Sequence, residues 1–237
     1  MRPAVLRICL LVFAGLGLVG ANGCSSGVGA PAGEQPINYT FDHGTEGWVL
    51  NKNEGSSFTN LGVGVPDGGS PPTVTFAGSD GDPSPGSLRL TVAFTGPGQY
   101  VAAGALFGHV VEGGSVIGGR NLSGTVRARV RLLSGRGAGV LVNLYSCESY
   151  APLGTICTGG PTIDAAELAG VDWTPVVMLF SFPTQVFELG IESYTPMPED
   201  GGAAGGGASA NTGELVLEID TVTSRAAGTD GGASDAP

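Results

Sequence analysis

The stretch Phe41-Asp42-His43-Gly44-Thr45-Glu46-Gly47-Trp48 gathers two carboxylates and one of the chain's two histidines. Carboxylates beside an imidazole can ligate a metal, move a proton or close a turn. The rest of the chain argues against catalysis. It has no Gly-x-Ser-x-Gly elbow and no His-Glu-x-x-His helix. With only His43 and His109, a Ser/His/Asp triad has few ways to form. A glycosidase needs just two carboxylates at a set separation. Glu188 with Glu192, or Glu148 with Asp164, offer such pairs, but nearly every protein offers them. The chain is therefore read as a non-enzyme.

Four cysteines carry the remaining reactive chemistry. Arg2 and Arg7 precede an apolar run, Ile8 to Gly20, that has the length of a signal h-region and is too short for a comfortable membrane span. Ala21-Asn22-Gly23-Cys24 follows. Small residues leading to a cysteine resemble the lipobox of bacterial lipoproteins, with one departure: Ala21 stands where that motif usually has Leu. The resemblance implies a signal peptide over 1–23 and a lipidated Cys24. It also implies an exported chain on the outer membrane or cell surface of a Gram-negative bacterium. A plain secretory signal would leave the Cys24 thiol free. Cys9 leaves with the signal. Cys147 and Cys157 remain, and in an exported chain they are expected to close their loop as a disulfide. No further Cys and no nearby His completes a zinc set.

These groups must be positioned by strands. Glycine occurs 43 times and proline 16 times, between short apolar runs. Residues 88–94, 125–132, 140–145, 187–192 and 215–219 alternate apolar and polar, the pattern of a strand with one buried face. Val176 to Phe182 is nearly all apolar and predicts a central strand covered on both sides. No segment has a good helical period. The expected fold is all-β: a jelly-roll β-sandwich of two antiparallel sheets spanning 36–225. A flexible tether over 24–35 precedes it, a Gly/Ala-rich insertion over 198–213 interrupts it, and an acidic tail over 226–237 follows. A net charge of -11, with Lys52 the single lysine, disfavours nucleic acid as a partner.

Five short motifs occur in a telling order: Asp42-His43-Gly44 with Gly47-Trp48, Gly86-Ser87-Leu88-Arg89-Leu90, Asn121-Leu122-Ser123-Gly124, Asp172-Trp173-Thr174, and Ile219-Asp220-Thr221-Val222. Together they resemble carbohydrate-binding modules of the galactose-binding-like jelly-roll class, the glucan- and xylan-binding type. The resemblance covers nearly all of 37–223. It implies a structural calcium ion held by Asp42 and Asp220, with Gly44 and Thr45 as carbonyl donors, an oxygen set that suits calcium. It also makes Trp48 and Trp173 core aromatics and His43 a bystander.

Sugar recognition needs an aromatic face and flanking amides, carboxylates or guanidinium groups. The side chains that alternation turns away from the core include Tyr145, Asn143, Arg127, Arg129, Glu188 and Tyr194, taken here as the ligand contacts. Arg131 and Glu192 share their phase, with Gln99, Tyr100 and Tyr150 nearby. A row of Arg facing Glu is equally readable as cross-strand ion pairs. The expected function is non-catalytic binding of a polysaccharide or oligosaccharide by a lipid-anchored domain. The alternatives are a structural or adhesion module without a sugar site, and a jelly-roll hydrolase or lyase.

Overall fold

The computed structural model describes residues 36–50, 71–83, 85–110, 116–150, 154–196 and 213–225. The signal segment, Cys24, the tether, nearly all of the 198–213 insertion and the acidic tail lie outside these residues. The strands are β1 (Asn38–Tyr39), β2 (Val49–Leu50), β3 (Thr73–Ala77), β4 (Ser87–Phe94), β5 (Tyr100–Leu106), β6 (Gly108–Val110), β7 (Val116–Gly118), β8 (Arg120–Ser134), β9 (Leu141–Tyr150), β10 (Gly154–Gly159), β11 (Ile163–Asp164), β12 (Thr174–Tyr194) and β13 (Gly213–Arg225). One 3-10 turn, Ala165–Leu168, follows β11. Every pairing is antiparallel.

The long strand β12 belongs to both layers of the sandwich. Its first half pairs with β8, which continues through β13 and β4 to β3. Its second half pairs with β9 on one side and β5 on the other. β10 then extends β9, and β2 extends β5. Pro183 marks the changeover. A proline has no N–H to give the ladder, and pairing with β8 lapses between Phe180 and Thr184.

Alternation fills the space between the layers. Leu88, Leu90, Val92 and Phe94 meet Val126, Ala128, Val130, Leu217 and Ile219 from one layer, and Val101, Ala103, Val142, Leu144, Leu189 and Ile191 from the other. Each is almost fully buried, so this one cluster supplies the main hydrophobic drive.

The Phe41–Trp48 stretch is a folding device. Phe41 and Trp48 are buried and meet edge to face at 5.5 Å, with Tyr39 at 5.8 Å from Trp48. The Trp48 N–H donates to the Thr45 carbonyl at 2.8 Å. Phe41 and Glu46 both take positive φ, 53° and 50°. The Thr40 hydroxyl donates to Asp42 at 2.9 Å, and the Thr40 N–H to Glu46 at 3.3 Å. Both carboxylates therefore close the turn, and His43 is exposed. Gly86 is obligatory here: a Cβ on it would fall 1.9 Å from the Phe41 carbonyl oxygen.

Two expectations are corrected. Val176 to Phe182 is covered on one side only: Val176, Met178 and Phe180 are buried, while Leu179 and Phe182 are exposed. Its outer face belongs to the first half of β12, which no other described element covers. Phe187 leaves the phase of Leu189 and Ile191, because an irregularity between Val186 and Glu188 sends Val186 into the main core instead. Trp173 is buried as expected, under the Arg131 guanidinium at 4.4 Å.

Candidate functional site

Register fixes what shares the outer face of the β9–β12–β5 layer. Gly104 pairs with Gly190, and Gly190 with Tyr145. Val49 lies beyond Gly104, and Gly159 beyond Tyr145. The neighbouring rows run Ala102–Glu192–Asn143 and Leu106–Glu188–Cys147, the latter continued by Cys157. The outermost row is Tyr100–Tyr194–Leu141. Three phenols, two carboxylates and an amide therefore stand on one surface.

Glycines make room for them. A Cβ on Gly190 would come within 2.7 Å of Tyr145 Cε1, and one on Gly104 within 2.9 Å of the Tyr145 oxygen. The Tyr145 ring thus lies across both glycines, and its hydroxyl donates to Glu188 Oε1. A Cβ on Gly159 would strike Asn143 Nδ2 at 2.5 Å, with Glu192 Oε1 3.2 Å away.

This face is buried. Tyr145 is 2% exposed, Asn143 3%, Glu188 6% and Glu192 9%. Tyr100, Ala102, Tyr145, Phe187 and the Cys147–Cys157 disulfide form a second cluster, with Tyr194 half-buried against it. The disulfide joins directly opposite residues of β9 and β10. Burial pushes the Glu192 carboxyl up, against hydrogen bonds from Asn143 and Tyr100 that favour its charged form. Tyr100 is pushed well above the phenol range by burial first, then by the charges of Glu192 and Glu188. Tyr194 is raised by burial and by Glu192. The Asn143 Oδ1 is buried without a hydrogen-bond partner. Towards β2 the face opens, with Val49 and Leu106 about half or more exposed.

Of the six expected contacts, Tyr145, Asn143, Glu188 and Tyr194 come together here. Arg127 and Arg129 do not. They project from β8 on the outer face of the other layer, where Arg129 pairs with Asp82 at 2.9 Å and Arg127 is exposed. Alternation separates core from not-core, but a sandwich has two outer faces. The arginine face is an ion-pair network: the fully buried Glu218 takes Arg89 at 2.6 Å and Arg131 at 2.5 Å. Tyr100, Glu192 and the three floor glycines complete the first face. The pairing of β12 with β5 on one side, and with β9 and then β10 on the other, unites them, and no local pattern encodes those pairings.

Neither carboxylate pair makes a convincing acid–nucleophile site. Asp164 pairs with Leu141, seven residues along β9 from Glu148, so about 23 Å separates them at Cα. Asp164 also caps the 3-10 turn, accepting from Ala166 N–H at 2.9 Å. Glu188 and Glu192 lie four residues apart, about 13 Å at Cα, and each is held by its own partners.

The expected calcium ligands fit a hard cation in their chemistry. Asp220 is fully buried, and that burial pushes its carboxyl up. It accepts from Asp82 N–H at 2.7 Å and the Thr221 hydroxyl at 3.0 Å. Among the described residues no guanidinium or ammonium forms an ion pair with it, whereas Glu218, two residues earlier, has two. Asp42, Asp220 and the Gly44 and Thr45 carbonyls offer oxygen alone. Among the described residues no three His, Cys, Asp or Glu side chains gather as a metal cluster.

Among solved structures, the chain resembles one describing the promiscuous specificity of carbohydrate-binding modules of the β-sandwich superfamily. The TM-score is 0.50 and the identity 13%, over 82% of this chain and 62% of that one. The chain thus spans less than two thirds of that structure's length. The CBM22-1 xylan-binding domain of Paenibacillus barcinonensis Xyn10C matches with TM-score 0.44 and 14% identity, over 84% of this chain and 99% of that one. The xylan-binding module CBM15 matches with TM-score 0.41 and 14% identity, over 82% and 99%. No protein-family model and no curated protein matches the sequence. The likeness is one of fold: the chain has the jelly-roll fold of the β-sandwich carbohydrate-binding modules.

Proposed function

We propose that the chain is a non-catalytic carbohydrate-binding domain, exported and anchored at the cell surface by lipid on Cys24. It holds a polysaccharide or oligosaccharide against the outer face of the β9–β12–β5 layer. One observation carries this reading. Burying two carboxylates and an unpartnered amide oxygen costs stability, and a face with only a structural role would be more stable if apolar. Perturbed, desolvated polar groups gathered on one surface mark binding sites. The phenols supply ring faces for a pyranose; the amide and carboxylates receive its hydroxyls. Calcium between Asp42 and Asp220, when bound, would tie the start of the domain to its last strand.

The structural or adhesion module is the second reading, favoured by the burial of that same face. Calorimetry of residues 36–225 against xylan, mixed-linkage glucan and other soluble glycans separates the two. Binding that weakens at least tenfold in Tyr194→Ala supports the sugar-binding reading. A folded protein that binds none of the glycans would leave the structural module. Membrane partitioning of the full chain with Cys24 intact and with Cys24→Ser tests the anchor.

A further inference from the structure

The outer face of the arginine-bearing layer has two unlike ends. At one end Arg89, Arg129 and Arg131 are taken up by Asp80, Asp82 and Glu218. At the other end the register sets Thr223 and Val177 on either side of Arg127, and Arg225 and Leu179 on either side of Thr125. Val126 and Ala128 point into the core, so these two rows face outward. Neither row holds a carboxylate. Arg127 and Arg225 are diagonal neighbours on adjacent strands. Both are exposed, and among the described residues neither forms an ion pair. Leu179 is 67% exposed and lies two strand spacings from Arg225, about 10 Å. Phe182, further along β12, is 71% exposed. A chain with a net charge of -11 therefore presents two uncompensated guanidinium groups beside bare apolar side chains. At physiological salt a charge is felt over about 8 Å, so acids elsewhere on the chain do not cancel this end.

We infer that this end of the face rests on an anionic lipid surface, with Arg127 and Arg225 on headgroup phosphates and Leu179 turned towards the acyl boundary. Guanidinium groups match phosphate oxygens through paired N–H donors. A soluble anion would satisfy the arginines and leave Leu179 in water. A bilayer meets both, because its phosphates and its hydrocarbon lie within a side chain's depth of each other. The inference does not depend on what the β9–β12–β5 face binds. The two outer faces of a sandwich point in opposite directions, so docking through this one turns the aromatic face towards the medium. A lipid on Cys24 would keep the domain near a membrane; the arginine–leucine end would decide which side it presents.

Cosedimentation with vesicles tests this on residues 24–237 carrying Cys24→Ser. That chain keeps every described strand, leaves out the apolar run that would itself enter a bilayer, and has no anchor. It should bind vesicles of equal parts phosphatidylcholine and phosphatidylglycerol, ignore pure phosphatidylcholine, and be released in about 0.5 M NaCl. Arg127→Gln and Arg225→Gln should each weaken binding about fivefold, and Leu179→Thr should weaken it by a similar factor. Arg127→Lys keeps the charge and should retain most of the binding. Arg136→Gln removes an equal charge from an exposed position beyond the far end of β8 and should change nothing. Every substituted side chain is exposed, so each variant keeps the fold. No binding to the anionic vesicles would overturn the inference, as would equal binding to both compositions or an equal loss in Arg136→Gln. Two other results would also overturn it by giving the face a different occupant. Binding to polygalacturonate that Arg127→Gln abolishes, with none to vesicles, would assign it to an acidic polymer, and self-association that Arg127→Gln abolishes would assign it to a second copy of the chain.

Discussion

Gly190→Ala tests the geometry of the face most directly. The new Cβ would stand 2.3 Å from the Ala103 carbonyl oxygen, 2.7 Å from Gly104 Cα and 2.7 Å from Tyr145 Cε1. Two of these neighbours are backbone of the adjacent strand and cannot swing away. The ring can move, but only by leaving its seat over Gly104 and Gly190 and pulling its hydroxyl from Glu188. Overpacking costs about 1–3 kcal/mol. Losing a hydrogen bond to a carboxylate adds about 1.5–3 kcal/mol. Allowing for some relaxation, the loss is about 3–5 kcal/mol, or a fall in Tm of about 6–20 °C for a domain of this size. Tyr145→Phe removes the hydrogen bond and keeps the ring, so it isolates the second part. Gly96→Ala is the control, since a Cβ there meets nothing within 4 Å, and its effect should lie between neutral and about 1 kcal/mol stabilising. Thermal melts by near-UV circular dichroism, paired with calorimetry on a bound glycan, read both consequences. A Gly190→Ala protein that melts within about 2 °C of wild type would refute the packing of Tyr145 over the glycine floor, because no native-like arrangement of β5, β9 and β12 absorbs that methyl group.

Other perturbations read other parts of the molecule. Burial raises the folded-state pKa of Glu192 above its unfolded value, so its favourable contribution is complete at low pH and is lost as pH rises through the folded pKa. Glu192→Gln, which stays neutral, should melt with the wild type near pH 4 and increasingly above it towards pH 8; melts that diverge at low pH instead would reverse the sign. Glu218→Ala removes the buried partner of Arg89 and Arg131, which are themselves 31% and 25% exposed in their side chains, and leaves Arg89 its pair with Asp80. The cost should therefore sit at the low end for a broken buried pair, about 3 kcal/mol, with glycan affinity of the folded protein unchanged because the network lies on the opposite face. Reducing the Cys147–Cys157 disulfide, whose partners are 10 residues apart, should cost roughly 3 kcal/mol by chain entropy, visible as a lower denaturant midpoint in dithiothreitol that Cys147→Ser with Cys157→Ser reproduces. Chelation by EDTA should lower Tm and added calcium should restore it in the wild type, with no response in Asp220→Asn; a wild type indifferent to both would remove the ion.

The strands were legible because their signal is local. Leu88-Arg89-Leu90 and Val126-Arg127-Ala128 declare a period of two within a few residues, and the core follows that period almost without exception. The sandwich itself was legible from the Gly-Trp turn and the later motifs, whose landmarks are packing constraints such as Gly86 against Phe41. What escaped was partnership across the sheet. Arg127, Arg129, Tyr145 and Glu188 all read as outward-facing, yet they fall on two faces, because alternation records phase and not layer. Phe187 and Val186 exchanged roles at an irregularity that no composition marks. Val176 to Phe182 looked doubly covered because apolar content was taken for burial, while Leu179 at 67% and Phe182 at 71% exposure show it half open.

The contrast between Glu218 and Glu192 argues for function more strongly than either alone. Both are carboxylates nearly removed from water. Where only the fold has to be served, two guanidinium groups close on Glu218 and a second carboxylate, Asp80, joins Arg89 at 3.0 Å. The same chain therefore has the means to neutralise a buried acid with arginine. On the aromatic face it holds Glu192 with the Tyr100 phenol and the Asn143 amide instead. Replacing Tyr100 or Asn143 by arginine would set a cation beside Glu192, whose carboxyl burial pushes up, and such a variant should be more heat-stable than the wild type above neutral pH while losing glycan affinity. A gain in stability together with an unchanged glycan affinity would mean that the polar groups around Glu192 are not what the ligand reads.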